Sequence, residues 1–173
     1  HTALFVAMAV PSLQGAPQAA ATSVTSPASS TVLTASEAGK LLPPAVFFHG
    51  QSAPVQARNS AGIRLGKDSF LLAALVDNSG YSSQVQQKYQ AYLITEEPVV
   101  IGGHPLGPGA YGCGFVAGNL FVVMDIGGHD LFSVASVKDA NLHRPTPLQI
   151  VSAANGGYRL YAGRSFVEIT AAR

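Results

Sequence analysis

The sequence predicts an all-β protein: an antiparallel barrel or sandwich of about eight to ten short strands with one short N-terminal helix. Three observations carry that expectation. From Ala45 onward the chain is a series of strand-length apolar or alternating runs, among them AVFFHG, SFLLAALVDN, NLFVVMDI and SFVEIT, each bounded by Gly, Pro, Asn or Asp. Neighbouring runs are joined tightly, by Ala117, Gly118 and Asn119 in one case and by Gly163 and Arg164 in another, which is hairpin spacing. No long stretch of helical period separates the runs, so the crossover helices of a parallel α/β sheet have nowhere to form.

The segments follow in order. Residues 1–21 form an apolar N-terminal arm or a truncated signal peptide. Thr2–Val10 reads TALFVAMAV without a charge, and in the small-residue tract GAPQAAA, ending at Ala21, Ala19 with Ala21 supplies a cleavage site of the A-x-A kind. Both readings imply export, to the periplasm, the cell surface or the extracellular space. If the arm is retained, Leu4, Phe5 and Met8 are expected to pack against this domain's own core or to contact a partner copy. Residues 22–33 are a Ser/Thr/Pro-rich lead-in without period. Residues 34–173 form a single β domain, whose helix is marked by Thr34 and Glu37 as a T-x-x-E capping box and stopped by Pro43 and Pro44.

Within that domain YSSQVQQKYQAY resists a pure strand reading, because Tyr81, Val85 and Tyr89 fall at helical spacing. It is read as a helical turn or loop followed by a strand from Lys88. In AYGCGFV, Tyr111, Cys113 and Phe115 alternate with Gly112, Gly114 and Val116, so one face of that strand is bare and accepts a close neighbour. In GYRLY the same alternation turns Tyr158 and Tyr161 to opposite faces.

Composition excludes several function classes. Charged residues make up 11% of the chain, and ten basic side chains nearly cancel nine acidic ones. No basic cluster recruits nucleic acid or an anionic membrane, and no apolar run reaches the roughly 20 residues of a membrane-spanning helix. The single cysteine, Cys113, has no disulfide partner in its own chain and sits between two aromatics, where burial is expected.

The stretch IGGHPLGPGAYGCGF contains a literal G-x-G-x-x-G at Gly107, Gly109 and Gly112. A phosphate cradle needs such a loop to open a helix, whose free amides hold the anion. Here period-two alternation follows at once, so the glycines are read as turns, at Gly102-Gly103 and Pro108-Gly109, leading into a strand from Ala110. The run I-G-G-x-x-L-x-P-G-x-Y and the strand behind it resemble an element of small exported bacterial β-domains of unknown function, over Val99 to Asp125. This chain has L-G-P-G where the common form has L-P-x-G. The resemblance implies a β fold and export, and it carries no catalytic residues.

The remaining candidates are sparse. His104, Asp125, His129 and Asp130 are weak metal ligands, with Asp125 better read as a cap on the Gly127-Gly128 turn. No G-x-S-x-G elbow or Cys-His signature is present, so no catalytic residue and no cofactor is expected. Tyr89, Tyr92, Tyr111, Tyr158 and Tyr161 offer flat apolar bodies with polar tips, suited to a partner. The leading expectation is a noncatalytic exported structural subunit that self-associates, into filaments if its arm and strand edges link copies head to tail. One alternative is a carrier of a small apolar ligand in a barrel cavity. The other is a metal-dependent hydrolase using Asp125, His129 and His104.

Overall fold

In the computed structural model of the protein, residues 31–172 are described. The chain begins with β1 (Thr31–Leu33), α1 (Ala35–Leu41), β2 (Ala45–Phe48), β3 (Gln51–Arg64), β4 (Phe70–Val76), α2 (Ser83–Lys88) and β5 (Ala91–Thr95). It continues through β6 (Val99–Ile101), β7 (His104–Leu106), β8 (Gly109–Val116), β9 (Leu120–Met124) and β10 (Asp130–Ala135). Last come β11 (Val137–Lys138), β12 (Thr146–Ser152), β13 (Tyr158–Gly163) and β14 (Ser165–Ala171).

Two antiparallel sheets result, arranged like a sandwich, and the described strands form no closed barrel. The larger has the order β1-β3-β4-β5-β8-β9-β10 with β2 added to β3; the smaller has the order β12-β13-β14-β6-β7 with β11 added to β14. Their facing sides meet in one apolar layer. Ile63, Leu71, Leu93, Cys113, Phe121 and Val123 come from the larger sheet, and Val99, Ile101, Leu148, Ile150, Leu160 and Ile169 from the smaller. Each fully buried aliphatic of this kind contributes about 1.5–3 kcal/mol. A void of about 10 Å³ lies among Leu75, Cys113, Phe121, Leu148 and Leu160, room for one water at most.

The outer side of the larger sheet is covered too. α1 is set by the capping box: Thr34 N donates to Glu37 Oε2 at 2.8 Å, and Glu37 N donates to Thr34 Oγ1 at 3.2 Å. The helix seals Leu33 and Leu72 beneath Ala38. It rests on an arch in β3, where the register with β4 jumps between Val55 and Ser60, and the Ser60 hydroxyl lies 2.9 Å from Ala35 O and 2.6 Å from Ala57 O. A second cover, formed by the β2–β3 hairpin and α2, buries Phe48, Tyr81 and Tyr89 over the sheet.

Several sequence expectations are corrected at this level. Fourteen strands are described, against about eight to ten expected. The excess comes from pairing pieces of two to four residues, and from DLFSVASV, which divides at Ser136 because β10 pairs with β9 in one sheet while β11 pairs with β14 in the other. Thr31–Leu33, expected at the end of the lead-in, pairs with β3. A second helix is present, since α2 continues to Lys88 on its Ser82 cap and the strand starts only at Ala91. His104–Leu106 is a strand of the β6–β7 hairpin, and its turn uses Gly102 and Gly103 at φ +55° and +86°, where a side chain would be strained.

Candidate functional site

From Gly109 onward the glycine stretch is a sheet strand, β8. β8 pairs with β5 on one side and β9 on the other, Gly112 standing opposite both Tyr92 and Met124. No helix opens after it, so there is no anion cradle here. The bare face expected from the alternation is occupied at close range. An added Cβ on Gly112 would lie 2.4 Å from the Phe48 ring, and one on Gly114 would lie 2.1 Å from Lys88 O.

The histidines and carboxylates divide into separate places. Asp125 accepts the His129 backbone N–H at 3.0 Å, and its carboxylate lies 3.1 Å from His129 Nδ1. Those contacts, the His129 backbone N–H first, hold its carboxyl below the usual range, as expected of a cap on the Gly127-Gly128 turn. His49 joins that turn from the β2–β3 hairpin, with Nδ1 2.9 Å from Gly127 O. Asp130 pairs instead with Lys88, Nζ to Oδ2 2.7 Å. His104 stacks on Phe132 with ring centroids 4.0 Å apart. Among the described residues no group of three or more His, Cys, Asp and Glu side chains is placed to hold a metal ion.

The tyrosines read as a contact surface are largely interior, which corrects that reading. Tyr89, Tyr92, Tyr158 and Tyr161 are buried, and Tyr111 is half-buried with its hydroxyl donating to Gly107 O at 2.8 Å. Alternation did turn Tyr158 and Tyr161 to opposite faces: Tyr158 enters the inter-sheet core, while Tyr161 packs on Phe166 and donates to Asp139 Oδ2 at 2.8 Å. Burial raises the Tyr89 phenol, and its oxygen has no hydrogen-bond partner among the described residues. Leu4, Phe5 and Met8 lie outside the described residues.

The feature the sequence reading missed is the outer edge of β10. This strand ends the larger sheet and pairs only with β9 among the described strands. The other sheet ends are guarded in ways that block strand addition: β1 and β7 have three residues each, β7 carries Pro105 and β12 carries Pro147. β10 has six residues, no proline and one charge, Asp130 at its start. Six large apolar side chains are exposed among the described residues, and four of them, Leu120, Ile126, Leu131 and Val137, lie on β9, β10, β11 or the turns between them. The absence of Pro and Lys from DLFSVA was legible in the sequence; its position at a sheet end was not.

Two clefts flank α2 on the same outer side. One of about 510 Å³ is lined by Phe48, His49, Gln84, Val85 and Met124, and one of about 470 Å³ by Gln90, Val116, Val122, Asp130 and Ser133. The Lys88–Asp130 pair stands between them with both side chains about half exposed, so it contributes at most about 1 kcal/mol. A third groove, of about 280 Å³, lies against the sheet between Leu41, Leu42, Phe70, Leu72, Tyr92 and Ile94. Compared with known proteins, the chain matches no family model, no curated protein and no solved structure.

Proposed function

We propose that the protein is a noncatalytic, exported structural subunit that self-associates through open sheet edges. The observation that supports this reading is the concentration of exposed Leu120, Ile126, Leu131 and Val137 around the unguarded β10. Unpaired strand edges bordered by apolar side chains are templates for further strands, and proteins that stay monomeric blunt them. In this reading the uncharged run Thr2–Val10, outside the described residues, is a strand-length second contact through Leu4, Phe5 and Met8. Two unlike contacts per subunit extend into filaments when their rotations do not close a ring. Export enters this reading from the likeness of Val99–Asp125 to an element of small exported bacterial β-domains, which is independent of whether residues 1–21 are retained.

Light scattering on the full chain across a concentration series tests the reading. The weight-average mass rises with concentration, and removing residues 1–21 shortens the assemblies. A constant monomer mass up to millimolar protein would overturn it.

A second reading, carriage of a small apolar ligand, moves from the barrel interior to the groove under α1. The described strands close no barrel that could hold a cavity, whereas the 280 Å³ groove is floored by Leu72, Tyr92 and Ile94. Its size is just under the usual range for small-molecule sites. Titration with a fluorescent fatty acid tests it: saturable binding lost in Leu72→Lys supports carriage, and no binding by the folded protein rejects it.

A further inference from the structure

The self-association reading leaves open which partner meets β10, and the strand's own geometry answers that. Ser136 N donates to Asn119 O at 2.8 Å, one step beyond the Ala135–Leu120 pair. Backbone groups in an antiparallel ladder alternate in direction, so Phe132 and Val134 share the inward direction of Ser136 while Ser133 and Ala135 turn their N–H and C=O toward the open edge. The side chains agree with that parity. Phe132 and Val134 are half-buried against the core, whereas Ser133 and Ala135 are exposed and small. A neighbouring strand can therefore approach to the ordinary spacing of about 4.8 Å without displacing a large group.

We infer that the occupant is β10 of a second copy, paired antiparallel about a two-fold axis near Ser133, so that two eight-stranded sheets become one continuous sheet. The proposal rests on the self-association reading and names its surface. The strand is complementary to itself in this register. Ser133 stands opposite Ser133 of the partner subunit, exchanging both backbone hydrogen bonds. Leu131, the extra residue at the bulge between Asp130 and Phe132, stands opposite Ala135 of the partner subunit, a large side chain against a small one. Asp130 faces Ser136 of the partner subunit, so no like charges are opposed. A contact of this kind is isologous and closed, which leaves further growth to a different surface.

The test uses the full chain with three substitutions. Ser133→Pro removes an amide that faces the edge and not β9, a position where a strand tolerates proline, and Ala135→Lys places a charge on the edge. Each is expected to weaken the dimer at least tenfold in sedimentation equilibrium, with circular dichroism and melting unchanged. Ser133→Cys is expected to form a disulfide-linked dimer on mild oxidation while Ser36→Cys, on α1, does not; the native Cys113 is buried and stays out of the reaction. If the wild type assembles, but Ala135→Lys assembles equally and Ser133→Cys gives no crosslink, the β10 pairing is wrong while self-association stands. If the wild type is monomeric throughout, both fail together.

Discussion

Phe48 is stacked on Tyr89, with ring centroids 3.8 Å apart and planes 22° apart, and the Phe48 ring also lies against Gly112 of β8. Both rings are fully buried. The pair joins the β2–β3 hairpin to the C-terminus of α2, and it lies flat on the larger sheet because residue 112 has no side chain. The glycines of AYGCGFV therefore serve packing.

Gly112→Ala should consequently destabilise the protein by about 1–3 kcal/mol, since the added methyl meets a buried ring already stacked on Tyr89. Chemical denaturation measures this. The combination with Phe48→Leu should cost less than the sum of the two single changes, because the smaller side chain frees the space over residue 112. Strict additivity would show that Phe48 does not set the cost.

Gly114→Ala meets the Lys88 carbonyl instead, and backbone yields less readily than a ring. The expected loss is at least as large, about 2–3 kcal/mol, with faster amide exchange around Tyr89, whose N–H bonds Val85 O at 2.7 Å. Unchanged exchange there would separate α2 from the sheet at this point.

Two neighbouring phenols should respond oppositely to loss of the hydroxyl. Tyr81 donates to Phe48 O at 2.9 Å, so Tyr81→Phe should cost about 1 kcal/mol. Tyr89 holds a buried hydroxyl with no partner among the described residues, so Tyr89→Phe should be neutral or stabilising by up to about 1 kcal/mol. Melting of the two variants side by side decides the matter, and equal losses would contradict the assignment of an unpaired oxygen.

The Asp125 cap carries a pH signature. Its folded carboxyl titrates below the ordinary value of 3.8, so its contribution is complete above that value and fades as pH falls below it through the folded value. Asp125→Asn should be less stable than wild type near neutral pH, with the difference narrowing in acid. A difference independent of pH would mean that the carboxylate charge plays no part in the cap.

Cys113 should be inert in the folded protein, because burial between the sheets raises its thiol to about 12. An aromatic disulfide reagent should react only at the rate of unfolding, and promptly in denaturant. Fast reaction under native conditions would place the thiol at the surface.

Much of this arrangement was legible along the chain. Thr34 with Glu37 fixed where α1 starts, Pro43 and Pro44 where it can no longer continue, and the alternation of Tyr111, Cys113 and Phe115 with glycines which side of β8 is bare. Each depends on side-chain period, capping groups or φ preference within a few residues, and those properties travel with the local sequence. The order of strands is a different kind of fact. Nothing near Gly112 announces that Phe48, 64 positions earlier, will cover it, and nothing in DLFSVASV announces that β10 ends one sheet while β11 joins the other. The tyrosines show the same division, since alternation assigned Tyr158 and Tyr161 to opposite faces but could not say that both faces are covered. Those outcomes depend on pairing between distant segments, where many orders satisfy the same local pattern and the one that buries the most apolar surface with its backbone groups paired prevails. The candidate edge at β10 belongs to that second class: its composition is local, and its freedom from a neighbour is a property of the whole sheet.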